Sequence, residues 1–338
     1  MLLALLVLLA LPQFLGSYLL TVFIFIFFYA YLGQAWNLLG GYGGQISLGH
    51  AAFVGIGAYT STYLAMTYKL SPWIGMLIGG AAAACLGAVI GYLGFRFGLR
   101  GFYFILLTVA FGEICRLVVS HVDALGGALG LFITFSGDPW QFQFSDNRYY
   151  YYVALGLMLI SMGIAALIER SRMGAYLAAI REDEDASEAL GVNAFGTKLA
   201  AIVLSAFLTG VGGTFYANYL FSLQPNTAFG IPLSVEIILR PIVGGSGTLM
   251  GPVLGSFILS PLAEVSRTYF ARGGLSGVHL IVYGSLLIAV VLFFPRGAYP
   301  YLRGVFRRLP RRGAPPPFRH LPPGVARAKP APERPRDP

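Results

Sequence analysis

The first 68 residues of the chain contain no Asp, Glu, Lys or Arg, and long apolar runs continue beyond them. In lipid, backbone amide and carbonyl groups must find their partners within the protein, and a helix supplies these partners locally. A β-barrel would instead alternate apolar and polar residues in segments of about ten. The runs here are continuously apolar over about 18–22 residues, the length that a helix needs to cross a bilayer. The sequence therefore predicts an all-α, polytopic membrane protein.

Apolar runs recur along almost the whole chain. Hydrophobic residues make up 57% of it and charged residues 11%, whereas about a quarter of the residues in a soluble protein are charged. We expect about 8–10 transmembrane helices, one or more of them short or broken, because the runs near 2–15 and 230–243 suit half-helices or re-entrant segments. The runs centre on residues 2–15, 17–38, 47–68, 72–95, 101–119, 150–168, 199–222, 230–243, 251–269 and 278–295.

Basic residues fall in three clusters, which indicate how the chain is oriented. If there are ten spans, Arg96 and Arg100, the basic group between 170 and 198, and the basic C-terminus all lie on the side of the N-terminus. Lys and Arg are enriched in cytoplasmic loops. We therefore predict that both chain termini are cytoplasmic and that the long segment 120–149 lies outside.

The C-terminal segment differs in composition from the rest of the chain. Eleven of the 23 basic residues lie in 296–336, so the net charge of +9 reflects this tail and not a nucleic-acid-binding surface. The tail is rich in proline and has too little apolar surface to fold. We predict a transmembrane domain over 1–298 and a disordered cytoplasmic tail over 299–338, in reach of anionic lipid headgroups.

Small residues recur every four positions along two of the apolar runs. Such stripes allow helix backbones to approach closely in a membrane. We expect packing within the chain, with a subunit interface or a sliding helix contact as the alternative. One stripe is Gly75, Gly79, Ala83, Gly87 and Gly91, and the other is Ala206, Gly210, Thr214 and Asn218.

A short polar segment interrupts the apolar sequence in the middle. Five of the fourteen acidic residues of the chain fall within Glu182–Glu188. We expect Asp185 to cap a short helix there, with Glu188 reaching back and Gly191 ending the helix in a left-handed conformation. A helix of about two turns does not persist alone in water, so it needs a docking surface. That surface is either this chain's own helix ends or a partner protein.

Sites for nucleotide binding or catalysis are absent from the sequence pattern. Gly191–Lys198 has the glycine spacing of a phosphate-binding loop, but Thr197 precedes Lys198, whereas the motif requires Lys followed by Ser or Thr. The four histidines are scattered, and no metal-ligand spacing or nucleophile elbow occurs. We therefore expect no enzyme activity, no metal and no cofactor in this chain.

Polar residues within or beside the apolar runs are candidates for a translocation path. Gly40–Gly49 contains five glycines and is not expected to form an ordinary helix. Irregular backbone at membrane depth is tolerated where it lines a cavity, although a simple turn entering a helix would explain the same pattern. Ionisable groups in spans usually face the bundle interior or a cavity. The candidates are Gln45, Ser47, His50, Glu113, Asn218 and Glu236.

Glu236 has a structural interpretation as well. Arg240 lies four residues later, so the two side chains are able to pair on one helix face, and Pro241 is expected to bend or end that helix.

Five sequence blocks, in register over about residues 17–300, resemble those of the branched-chain amino-acid permease family of ABC importers, LivM-type. "DASEALG" (Asp185–Gly191) is similar to the short loop motif of bacterial importer permeases, with Asp185 and Ser187 in place of the general motif's Glu and Ala. Arg240-Pro241 is also not typical of the family. The blocks are Asn37–Tyr59, Arg100–Ile114, Gly174–Asn193, Gly244–Gly255 and Phe293–Gly297.

The resemblance implies a permease subunit in a bacterial inner membrane. Its partners would be a second homologous permease, two cytoplasmic ATPase subunits that bind the ATP, and a periplasmic or extracellular substrate-binding protein. The loop at about 169–198 would contain the coupling helix that seats in an ATPase groove. The coupling residues implied are Arg181, Glu182, Asp183, Glu184, Asp185, Ala186, Glu188, Ala189, Leu190 and Gly191.

The cargo implied by the resemblance is a branched-chain amino acid, moved by alternating access. Urea, short amides or a sugar remain as alternative cargoes, because selectivity is expected largely in the binding protein. An ATPase-independent transporter or channel is the alternative mechanism, and it would require an inverted internal repeat and an ion-coupling carboxylate.

Overall fold

The computed structural model describes residues 2–272 together with 284, 285, 297 and 299, and nearly all of the regular structure in this part is helical. The helices are α1 (Leu2–Ala10), α2 (Ser17–Asn37), α3 (His50–Tyr68), α4 (Pro72–Arg96), α5 (Phe102–His121), α6 (Asn147–Glu169), α7 (Arg172–Glu182), α8 (Glu184–Ala189), α9 (Ala194–Leu220), α10 (Pro225–Ala228), α11 (Ile231–Gly244) and α12 (Gly251–Arg272).

Six helical segments in the described part are long and apolar enough to cross a membrane, which confirms the all-α, polytopic prediction. Gly251–Val265 is a shorter apolar helix. The expected apolar run at 278–295 and the tail at 299–338 lie almost wholly outside the described residues, so the expected span count stays a prediction. The six segments are Ser17–Tyr42, Pro72–Arg96, Phe102–His121, Asn147–Glu169, Ala194–Leu220 and Pro225–Gly244.

Small residues bring α3, α4 and α9 into close contact, as the stripes predicted. A Cβ atom placed on Gly57 of α3 would collide with the carbonyl oxygen of Gly210 of α9. A Cβ on Gly87 of α4 would lie 2.6 Å from the Cβ of Ala206. Glycine is required where backbones meet this closely. The stripes therefore serve packing within the chain.

α2 is the most enclosed of the long helices, and it packs against α6, α9, α11 and α12. Its aromatic side chains interlock with those of neighbouring helices. The Phe27 ring lies edge-on to Tyr151 of α6, with the centroids 5.1 Å apart, and the Phe28 ring stacks on Phe215 of α9. Aromatic packing of this kind supplies dispersion where a hydrophobic driving force is absent.

One end of the bundle is closed by the long connection between α5 and α6. Its short strand β1 (Leu131–Phe132) pairs antiparallel with β2 (Ser222–Leu223), which directly follows α9. The Ser71 hydroxyl, at the start of α4, donates to the carbonyl of Trp140 at 2.6 Å. This end is opposite the α7–α8 loop, because α9 runs from that loop to β2.

Candidate functional site

The polar segment folds as two helices, α7 and α8, joined at Asp183. The Asp183 carboxylate accepts from the Ala186 amide at 2.9 Å and so caps α8. The expectation that Asp185 is the cap was wrong, because the helix begins two residues earlier than the sequence pattern suggested. Gly191 has φ +87° and ends the turn as predicted. Asn193 then caps α9 by accepting from the Gly196 amide at 2.8 Å.

An ion network fixes α8 to the rest of the chain. The Lys198 ammonium, in the first turns of α9, is almost fully buried and pairs with Glu184. It also lies 4.9 Å from the centroid of the Phe95 ring. The other carboxylate oxygen of Glu184 lies 3.3 Å from Nε of Arg100, in the α4–α5 connection. One glutamate thus joins the coupling segment to α9 and to the turn between α4 and α5.

Asp185 extends this network toward solvent. Its carboxylate accepts from Nη2 of Arg100 at 2.8 Å, and this hydrogen bond lowers the pKa of Asp185 below its usual value. Arg100 belongs to the first basic cluster and contacts the segment that carries the second. Two of the three clusters that were predicted to share a side therefore lie at one end of the bundle. The third falls almost wholly outside the described residues, and the side of the membrane stays a prediction.

The rest of the α8 surface is available to a partner. Leu190 is 86% exposed, and Glu182, Ala186, Glu188 and Ala189 are exposed beside it. Ser187, which lies between these residues in the sequence, is buried and donates to the carbonyl of Asp183 at 2.7 Å. α8 therefore has an anchored face and a free face, and the free face ends in a large apolar side chain.

A second connection joins α7 to the glycine-rich segment after α2. α2 ends in a π-helical turn over Leu38–Tyr42, as expected for a segment that cannot form an ordinary helix. Arg181 of α7 donates to the carbonyl of Gly41 at 3.0 Å. Asn37, fully buried at the start of the turn, accepts from the Gly247 amide at 2.8 Å and donates to the Thr248 carbonyl at 3.0 Å.

Asn37 was missed as a site residue in the sequence, although a lone amide beside a Gly-Gly pair in an apolar run was the available signal. It links the π turn to the connection between α11 and α12. The α8 end of the bundle is therefore a joined unit, in which polar contacts, most of them partly buried, hold α2, α7, α9 and the 245–250 connection.

Ser47 and His50 are fully buried within this chain, and Gln45 is partly exposed before them. The His50 ring nitrogens lie 3.1 Å from the Ser47 hydroxyl and 2.9 Å from the Ser205 hydroxyl, and Ser205 in turn donates to the Ala35 carbonyl. This arrangement ties the start of α3 to α9 and α2. Both ring nitrogens of His50 therefore have hydrogen-bond partners within the chain, which is a structural role.

Asn218 lies at the other end of α9, beside a polar cavity of ≈ 270 Å³. Its amide donates to the Thr214 carbonyl at 2.9 Å. The other polar residues around this cavity come from α3, the α3–α4 turn and the α5–α6 connection, and they are Thr62, Lys69, Thr134, Gln141 and Gln143.

Glu236 and Arg240 of α11 pair at 3.5 Å, as predicted from their spacing. The Arg240 guanidinium is fully buried and lies 3.9 Å from the centroid of the Tyr29 ring. α11 continues through Pro241 to Gly244, so of the two expected effects of Pro241, a bend or an end of the helix, the end does not occur. Glu113 of α5 does not face the interior of this chain; its side chain is half exposed and pairs with Arg116 on the surface of the chain.

Comparison with known proteins agrees with this architecture. The family model described as "Branched-chain amino acid transport system / permease component" matches residues 18–293. The chain belongs to this family. It is a multi-pass membrane permease subunit of an ABC importer, as the resemblance implied.

Individual relatives are also permease proteins of transport systems. The permease is 29% identical over 304 residues to the high-affinity branched-chain amino acid transport system permease protein LivM of Escherichia coli, covering 81% of this chain and 68% of the relative. It is 25% identical to BraD of Pseudomonas aeruginosa, covering 80% and 90%. The nucleoside ABC transporter permease protein NupC of Lactococcus lactis is 23% identical, covering 78% and 88%. No solved structure matches the chain.

Proposed function

We propose that this permease imports branched-chain amino acids across a bacterial inner membrane, together with a second homologous permease, two cytoplasmic ATPases and a substrate-binding protein. The cargo is supported by the family and by the relatives LivM and BraD. The end of the bundle that carries α8 would face the cytoplasm, with both termini on that side, in agreement with the enrichment of Arg and Lys there.

The observation that carries the proposal is the two-sided character of α8. Glu184 anchors it to α9 and to the α4–α5 connection, while the side chains of Glu182, Glu188 and Leu190 are exposed. A rigid polar helix with a free, partly apolar face suits a groove on an ATPase. Because its anchors are membrane helices, a shift of α8 would move α9, α4 and α5 with it.

Alternating access would then follow from differential binding. The ATPase dimer must hold the inward-open and outward-open forms of the permease with different affinity, since otherwise ATP could not shift their populations. ATP would be bound by the partners, so this chain's contribution is mechanical. A nucleoside cargo is the second candidate, favoured by the similarity to NupC.

The proposal is tested by changing the free face of α8 in the assembled transporter. Glu188→Lys and Leu190→Asp should each weaken ATPase binding by tenfold or more, and tenfold corresponds to about 1.4 kcal/mol. Glu188→Lys reverses a charge, and Leu190→Asp introduces one, on the surface that would contact the ATPase groove. Amino-acid uptake into cells and recovery of the ATPase with the purified permease would be measured.

Matched controls exist at the opposite end of the bundle. Asp123 and Leu129 are exposed there, and Asp123→Lys and Leu129→Asp make the same chemical changes. The controls should retain ATPase binding. Normal uptake and normal ATPase recovery in both α8 variants would contradict the proposal.

A further inference from the structure

The helix α5 carries an ion pair at membrane depth. Glu113 is the twelfth and Arg116 the fifteenth of its 20 residues, so Glu113 lies about 12 Å from the C-terminal end of the helix at 1.5 Å per residue. The segment around the pair is strongly apolar and is one of the six candidate membrane spans. Charge at this depth therefore needs a specific environment.

The pair is well ordered by its own contacts. Nε of Arg116 donates to one carboxylate oxygen of Glu113 at 2.9 Å, and Nη2 donates to the other. Nη1 donates to the side-chain oxygen of Asn226 in α10 at 2.7 Å. These bonds connect α5 to the chain segment between α9 and α11, and they use three of the five N–H donors of the guanidinium.

Other residues of this chain cover the Glu113–Arg116 pair only in part. The Glu113 side chain is 49% exposed and that of Arg116 26% exposed. Neighbouring exposed residues on α5, such as Leu106, Ile114 and Val118, are apolar and suit lipid or protein contact. A half-exposed carboxylate and guanidinium do not suit lipid, because ionised groups in the hydrocarbon region lose most of their hydration.

We propose that Glu113 and Arg116 line the water-filled translocation path of the transporter and that they contact the charged backbone groups of a zwitterionic amino acid as it passes. This inference rests on the proposed function and adds the residues that meet the cargo. Two N–H groups of Arg116 remain for the cargo carboxylate, and the Glu113 oxygens offer further lone pairs to its ammonium group. The pair itself stays intact.

An opposed pair of charges suits a passing zwitterion in another respect. A single charge in the path would attract one end of the cargo and repel the other, whereas a neutral pair offers a complementary group to each. Asn226 holds Arg116 in place from a neighbouring segment, so the pair is positioned by the fold and not by the cargo.

Water access is tested with two adjacent positions on α5. Leu117 lies one turn after Glu113 on its side of the helix, and Val118 lies a further 100° around it. Their exposed fractions are 44% and 57%. In the assembled transporter, with Cys85→Ala and Cys115→Ala, Leu117→Cys should react with a membrane-impermeant thiol reagent at least tenfold faster than Val118→Cys. Equally slow labelling of both cysteines would show that lipid or the second permease covers this side of α5, and it would overturn the proposal.

Contact with the cargo is tested by three further variants. Glu113→Gln and Arg116→Lys should each lower leucine uptake tenfold or more, while ATP hydrolysis stimulated by the binding protein continues. The double variant Glu113→Gln/Arg116→Gln leaves no unpaired charge, so it would restore uptake if the pair were only structural. We expect uptake to stay low in the double variant, and near-normal uptake would refute contact with the cargo.

These outcomes separate the two proposals. If the unaltered permease recovers no ATPase and shows no amino-acid uptake, the proposed function fails. If the unaltered transporter is active but Leu117→Cys and Val118→Cys label equally slowly, or the double variant Glu113→Gln/Arg116→Gln takes up leucine at a near-normal rate, the further inference alone fails.

Discussion

At the residue scale, the Lys198 ammonium is the most demanding group of the coupling segment, because it is charged and almost fully buried. Glu184 is its carboxylate partner, and removing one member of a buried pair leaves the other uncompensated, at a cost of about 3–5 kcal/mol. Glu184→Gln should therefore lower the free energy of unfolding by about 3 kcal/mol. The loss would be detected as a lower midpoint temperature of thermal unfolding in detergent.

Lys198→Met should cost less than Glu184→Gln. Glu184 would keep Arg100 as a partner at 3.3 Å, and a methionine side chain would keep the packing on Phe95. Glu182→Gln is the matched control, because Glu182 is largely exposed and surface ion pairs contribute little. An unfolding midpoint of Glu184→Gln equal to that of the control would contradict the assigned network.

At the scale of elements, the contact of α3, α4 and α9 depends on glycine. Gly57→Ala or Gly210→Ala would force helix backbones apart and should destabilise the permease by about 1–3 kcal/mol. Gly163 of α6 has open space around its Cα, so Gly163→Ala should be neutral or stabilise by about 0.5–1 kcal/mol. Thermal unfolding of the three variants checks this, and equal midpoints would show that the close approach is not needed.

The elements also show what could be predicted from the sequence. Apolar run length and small-residue spacing are local properties, so the helices and the close packing of α4 and α9 within the chain followed from them, but not which helices contact each other. The left-handed Gly191 followed from turn chemistry. The partners of Lys198, Arg181 and Asn37 come from residues 14 to 211 positions away. No local pattern encodes such distances, and for this reason the anchors of α8 were not predicted. Arg116, the partner of Glu113, lies only three positions away, so its i, i+3 spacing was an available signal that was missed.

At the scale of the whole molecule, the chain has two chemically different ends. Ionic and amide contacts join α8, α7 and the π turn at one end, whereas a short β ladder and a long aromatic connection close the other. Exposed leucines mark both ends, Leu190 and Leu129, with exposed fractions of 86% and 79%. These two leucines permit a direct test of the orientation of the chain in the membrane.

In a Cys85→Ala/Cys115→Ala background, Leu129→Cys should react with an impermeant thiol reagent in intact cells, after removal of any outer barrier. Leu190→Cys should react only when the cytoplasm is opened, because we place α8 inside the cell. Co-expression of the cognate ATPase should slow labelling at Leu190 tenfold or more by covering the free face of α8, with labelling at Leu129 unchanged as the control. Labelling of Leu190→Cys from outside would reverse the orientation, and labelling that is indifferent to the ATPase would remove α8 as its docking element.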